Sequence, residues 1–255
     1  MKLTYVPVKI AKSIVLLVTT DVEGSLRAQT AGWLLRRVED AEQVVFAAWN
    51  GDEPRLETAA GGLSVNGAMA LCAWLALENG VPLGETWSFP LPAGPVSLPC
   101  AVTPVNTCCL VTVTMPASEE TTISLPGSEI ALPVVRFPGI SHVIVPVGSV
   151  SRTEARELLR RWSHLLPAPA AGMLFWNEDA LSLDPLIWDK ALGAAAWRQS
   201  CAGAAAAVGA YLSGRAGETV SLRQPGGIMA VTRSNALTVT ATAEVGRSKT
   251  VDLIF

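Results

Sequence analysis

Charge is scarce in this chain. Only 16% of its 255 residues are charged, two are histidine, two are tyrosine, and the formal net charge is -3. A nucleic-acid or anionic-membrane binder needs a basic stripe. The densest cationic cluster, Arg152, Arg156, Arg160 and Arg161, is interleaved with Glu154 and Glu157, so neither partner is expected. Long apolar runs are also missing. Ile14–Val18 and the Ala-rich run from Cys201 to Leu212 fall short of the ~20 residues that a spanning helix requires. Lys2, Lys9 and Lys12 precede the first run, but Asp21 and Glu23 follow it without a small-residue cleavage site, so no signal peptide is read. The expectation is a soluble, cytoplasmic protein. The five cysteines (Cys72, Cys100, Cys108, Cys109, Cys201) show no CxxC spacing, so free thiols and no metal site are expected.

What the chain has in quantity is apolar and small residues. Half of it is hydrophobic and the mean hydropathy is +0.37, which excludes a disordered chain and supplies a sizeable core. The length suits one large domain or two of roughly 120 residues. Strands are expected at 2–8, 13–19 and 43–48, with a helix at 29–38 between them and extended chain at 55–58. Asn50-Gly51-Asp52-Glu53-Pro54 reads as a turn. A helix of small residues is expected over 68–78, closed by Asn79-Gly80. Between 90 and 133, residues 102–103 and 109–115 read as strands, with prolines at the segment edges, where a missing N–H matters least. A strand follows at 140–147.

Residues 151–166 form the clearest amphipathic helix, with Ser151 as N-cap and Glu154 three positions on. Further strands are read at 181–189, 219–222, 227–232, 236–243 and 250–255, with a second small-residue helix beginning near Cys201. The eight tryptophans, Trp49, Trp176 and Trp197 among them, are expected in the core, with one or two available to flank a substrate ring. The halves resemble each other, each with several strands and one apolar helix that must be buried all round. The fold class expected is α+β with two pseudo-symmetric lobes, each a sheet around a central helix. The boundaries are 1–117 plus the last strand, 243–255, for one lobe and 118–242 for the other.

Cys201 is the leading chemical candidate. It stands in Ser200-Cys201-Ala202-Gly203-Ala204-Ala205, where a loop enters a helix. A helix N-terminus presents unpaired N–H groups and the positive end of the macrodipole, which favour a thiolate and bind a carboxylate. The pKa of Cys201 is therefore expected below that of a free thiol. The matching place in the first half is Ser64-Val65-Asn66-Gly67-Ala68, with Asn66 as the capping candidate. Arg198, just before Cys201, is placed to pair with a carboxylate or to lower the thiol pKa.

These features resemble the diaminopimelate epimerase superfamily of amino-acid racemases, and within it the histidine racemases of staphylopine-type opine metallophore pathways. The resemblance is carried by Glu42–Phe46, Gly61-Gly62 with Asn66-Gly67, Val143–Val147, Gly172–Phe175, Pro185–Ile187, Trp197, Ser200-Cys201, Gly203 and Gln224-Pro225-Gly226-Gly227, across nearly the whole chain. It implies mostly antiparallel sheets and an isomerase that needs neither pyridoxal phosphate nor metal. The substrate would be a free amino acid, histidine by resemblance, and the assembly is compatible with a homodimer. Two opposed cysteines would exchange the α-proton while helix N-termini hold the carboxylate.

Cys201 stands at the second cysteine, whereas the first is replaced, by Ser64 or by Val65 depending on register. Cys72 lies about two helical turns further on, roughly 10 Å along the axis. Catalysis is thus assigned to Cys201 and Ser64. Substrate binding is assigned to Val65, Asn66, Gly67, Ala202, Gly203, Ala204, His142, Gln43, Ser13 and Arg198. A one-base isomerase or lyase, and an inactive amino-acid-binding protein, remain the alternatives.

Overall fold

The computed structural model describes residues 1–253 except 125–126, 128–129 and 213–216. The strands are β1 (Lys2–Ile10), β2 (Ser13–Val18), β3 (Ala41–Asn50), β4 (Glu53–Thr58), β5 (Trp87–Ala93), β6 (Val96–Val105), β7 (Cys108–Thr114), β8 (Glu119–Ser124) and β9 (Ala131–Phe137). They continue as β10 (Ile140–Pro146), β11 (Ala170–Asn177), β12 (Ser182–Asp189), β13 (Ala194–Trp197), β14 (Thr219–Gln224), β15 (Gly227–Arg233), β16 (Leu237–Val245) and β17 (Lys249–Asp252). Among the described residues four α-helices accompany them: α1 (Arg27–Leu35), α2 (Val65–Glu78), α3 (Arg152–Leu165) and α4 (Ala202–Tyr211). Part of the strand expected at 250–255 lies outside the described residues. Among the described residues no helix is long and apolar enough to cross a membrane.

Strands β1, β2, β3, β4, β5, β6, β7 and β16 pair in cyclic order and return to β1, closing an eight-stranded barrel. Helix α2 runs through it and touches all eight strands. The second half pairs β8, β9, β10, β11 and β12 in order, reaches β14 through Ser182 and Arg223, and continues through β15 to β16. Helix α4 packs within this curve against β9, β10, β15, β16 and α2. Strand β16 therefore serves both halves, and the boundary expected at 243 falls inside it.

Residue size explains why these two helices can be enclosed. From Ala202 to Ala210 every residue of α4 is buried, and only Val208 is larger than alanine. Gly209 sits where an added Cβ would lie 2.3 Å from Val231 Cγ1. At Gly67 the corresponding Cβ would meet Val45 Cγ1 at 2.7 Å. Glycine thus lets both helices approach their strands. Helix α1 instead covers an outer cluster with Leu16, Val44 and Phe46, and α3 covers Val145, Met173 and Leu186 through Leu159 and Trp162.

Three expectations need correction. The region from 90 to 133 holds longer strands than read, with Pro90 and Pro92 inside β5 and Pro99 and Pro104 inside β6. They are tolerated because β5 meets β4 only at Leu56–Ala93, and because Pro90 faces Pro99, a pair where neither residue donates. Helix α2 begins at Val65 rather than Ala68, since Ser64 Oγ accepts the Gly67 N–H at 2.9 Å and caps it. Trp49 is 51% exposed on the outer face, not core. The capped start of α3 is found as expected, with Ser151 Oγ accepting from Glu154 N at 3.3 Å.

Replacing a helical glycine by alanine ordinarily gains about 1 kcal/mol. Gly209→Ala should do the opposite, because Val231 is short and stiff at χ1 and cannot swing aside. We expect a loss of ~1–3 kcal/mol, the usual cost of overpacking a tight core, read as a lower urea midpoint with an unchanged slope.

Candidate active site

The two enclosed helices start at the same place. Ser64 and Cys201 are the N-caps of α2 and α4 and share an extended backbone, φ -125° and ψ 105° against φ -143° and ψ 110°. Both line one cavity, whose wall also includes Ser13, Gln43, Val65, Asn66, Arg198 and Gly203. A Cβ on Gly203 would stand 3.7 Å from Val65 Cγ2 and 4.0 Å from Cys201 Sγ, so the two helix starts flank one point.

Asn66 holds them there. Its Nδ2 donates to Ser200 O at 3.0 Å and its Oδ1 accepts from Ala202 N at 2.7 Å, both buried. The residue expected to cap its own helix therefore caps the other one. Gln224 adds a second clasp, accepting from Cys201 N at 2.7 Å and donating to Cys201 O at 3.3 Å. Ser200 Oγ donates to Ile10 O at 2.6 Å. Glu42 accepts from Gln199 N at 3.0 Å and from Ser13 Oγ at 2.8 Å, tying β2 and β3 to the approach of α4.

Most polar groups at the cavity are thus already engaged. Ser64 Oγ accepts from Gly67 N and donates to Gln43 Oε1 at 3.1 Å, and Thr58 donates to Gly62 O. Arg198 is different. Its guanidinium forms no ion pair among the described residues, and its buried Nη1 has no hydrogen-bond partner. An unpaired cation at the rim of two helix N-termini favours an anionic ligand.

Burial overturns the expected acidity of Cys201. Removal from water pushes its thiol up, and this outweighs the Ala204 and Gly203 N–H groups and the Arg198 charge, which all favour the thiolate. Burial also lowers Arg198, against the attraction of Glu42, Cys201 and Asp189, and raises Glu42 despite its hydrogen bonds.

Ser13, Gln43, Ser64, Val65, Asn66, Arg198, Cys201 and Gly203 are brought together at the cavity, whereas Gly67, Ala202 and Ala204 lie behind it in the first helical turns. His142 is fully buried below the floor, its ring fitted over Gly172 and facing Gly203. Sequence reasoning did not single out Glu42, Thr58, Asp189, Ser200 or Gln224. The strings around Glu42, Ser200 and Gln224 carried the resemblance without indicating a role, and Asp189 gave no local signal.

The model of the family "Histidine racemase CntK N-terminal domain" matches residues 2–250. The chain belongs to this histidine racemase family. Two histidine racemases of Fusobacterium nucleatum subsp. nucleatum are 31% and 32% identical over 87 residues, which is 33% of this chain and 33% of each relative. The chain thus matches about one third of the length of these curated relatives. Among solved structures, a hydroxyproline epimerase of Agrobacterium vitis with bound trans-4-hydroxy-L-proline superposes with a TM-score of 0.71 at 14% identity, covering 99% of this chain and 93% of that one. A predicted epimerase of Pseudomonas aeruginosa gives 0.73 at 15% identity, covering 99% and 100%. The histidine racemase family member described here therefore shares the overall fold of these epimerases.

Two measurements check the electrostatics. With its thiol pushed up, Cys201 should alkylate slowly at neutral pH and accelerate above the ordinary thiol range. Arg198→Gln removes a charge that favours the thiolate, so its pH–rate profile should move further up; a downward move contradicts the assignment. Burial lowers His142 to about 3, while the unfolded chain titrates near ~6.5. The unfolded state therefore takes up the proton first, and stability present above pH ~6.5 is lost as pH falls toward 3. Urea midpoints of His142→Leu across that window should fall less steeply than those of the native protein.

Proposed function

We propose that the protein is an amino-acid racemase of the diaminopimelate epimerase type, with histidine as substrate and Cys201 as the acid/base group. The observation that carries the reading is the meeting of two N-capped helix starts, Ser64 and Cys201, across one cavity. On this reading the halves, 1–117 with the C-terminal strand and 118–242, act as pseudo-symmetric lobes around the substrate.

The α-carboxylate lies between the helix starts, accepting from the N–H groups of the first turns with Arg198 nearby. The Cys201 thiolate removes the α-proton, and the electrons of the broken C–H bond pass into the carboxylate, where the helix dipoles stabilise the added charge. Reprotonation from the same side restores the starting enantiomer; inversion needs a proton from the opposite face, where Ser64 stands. The reading extends to a reaction without prosthetic group, a homodimer, and a role in opine metallophore biosynthesis.

One feature supports one-base chemistry as a second reading. The Ser64 hydroxyl is committed to Gln43 and Gly67, and an alcohol is a far weaker acid than a thiol. Wild-type protein in deuterated water should then wash out the α-proton of histidine faster than it inverts the centre. Ser64→Cys should raise inversion by ~10²–10⁴-fold, the usual contribution of an acid/base group, whereas Val65→Cys should not. Adding Cys201→Ala should abolish the gain. Rapid racemisation that survives Cys201→Ala overturns the proposal, and binding without exchange in either variant supports an amino-acid-binding protein.

A further inference from the structure

The cavity has a second wall beyond the helix starts. Ile140, Ala170 and Asp189 are in register across β10, β11 and β12, one row at the same end of three neighbouring strands. All three line the cavity, as does Ile187, two residues from Asp189 on the same face. Ala170, with a single methyl group, stands between Ile140 and Asp189 in this row, so the row presents little bulk between an isoleucine and a carboxylate.

That carboxylate is held and half used. Asp189 Oδ1 accepts from Ala191 N at 2.9 Å and from Leu192 N at 3.2 Å, which fixes the group at the strand end. Its second oxygen has no hydrogen bond among the described residues, and Arg198 does not form an ion pair with it. That oxygen is not one of the buried atoms left without a partner, so it is open to the cavity and free to accept from a ligand N–H.

We infer that Ile140, Ala170, Ile187 and Asp189 form the side-chain subsite of the proposed racemase, taking a flat, N–H-bearing side chain whose nitrogen donates to Asp189. This rests on the racemase reading for the orientation of the substrate: carboxylate and α-carbon at the helix starts leave the row across β10–β12 for the side chain. An apolar pocket alone discriminates weakly, while a site built to hydrogen-bond a substrate rejects analogues lacking that group by much larger factors. Asp189 is thus the specificity-determining residue, and Ala170 sets the width of the slot.

The test compares L-histidine with L-norvaline, which lacks the ring nitrogens, by α-proton exchange in deuterated water and by calorimetric binding. Asp189→Asn keeps Oδ1 for the 191–192 turn, and thermal melting verifies its folding. We expect the preference for histidine over norvaline to fall at least ~10-fold in both readouts, as for loss of a hydrogen bond to a charged group. Ala170→Leu, which fills the slot, should weaken histidine more than alanine. Equal losses for histidine and norvaline in Asp189→Asn would show that Asp189 holds the α-ammonium instead, and would overturn the inference, as would an unchanged preference or a wild type with none. The racemase reading fails separately: a wild type that binds histidine without exchanging its α-proton, yet loses the binding preference in Asp189→Asn, removes the chemistry and keeps the subsite.

Discussion

Two helices that begin inside a protein bring unsatisfied N–H groups into its interior, and a buried donor without a partner costs ~1–3 kcal/mol. Ser64 and Gln224 accept from Gly67 N and Cys201 N, and the carboxamide of Asn66 spans from the first turn of α2 to accept from Ala202 N and donate to Ser200 O. The Asn66 bonds are buried and directional, so they set the spacing of the helix starts as well as satisfying them. Everything at the cavity depends on that spacing. Ser64 and Cys201 line the same cavity because their helix starts are tied together through Asn66.

The same requirement accounts for the unusual composition. A helix enclosed by a barrel cannot carry a polar face, and a helix packed on strands from many directions cannot carry large side chains on all of them. Alanine and glycine in α2 and α4 meet both conditions. The cost is little hydrophobic area per residue, and the sheets supply it instead through Leu17, Leu91, Leu98, Val111 and their neighbours. In α2 the larger Met69, Leu71 and Leu75 are interspersed with alanine and fully or nearly fully buried, whereas α1 and α3 lie outside the sheet with one face in solvent.

Low dielectric shapes the chemistry of the site. Burial moves Cys201 and Glu42 toward their neutral forms and opposes the charge of Arg198, while helix N–H groups and mutual attraction pull the other way. Helix position alone predicts an acidic thiol; desolvation reverses the sign. On the proposed racemase reading, proton transfer by Cys201 would rely on a bound ligand, on the Arg198 charge, or on both.

The sequence by itself determined the local features: the capped helix α3, the small-residue helices around Asn66 and Cys201, most strands of alternating or continuous apolar pattern, and Cys201 as the residue to watch. Those are written in neighbouring residues, through hydrogen bonds and periodicities spanning a few positions. The proline-containing strands between 90 and 105 were read too short because their tolerance depends on which edge each proline faces. The closure of the barrel by β16, the capping of α4 by Asn66 from 136 residues away, and the joining of Ile140, Ala170 and Asp189 into one wall were decided by the tertiary structure. Each depends on strand register and on a dielectric environment that exists only after distant segments have met.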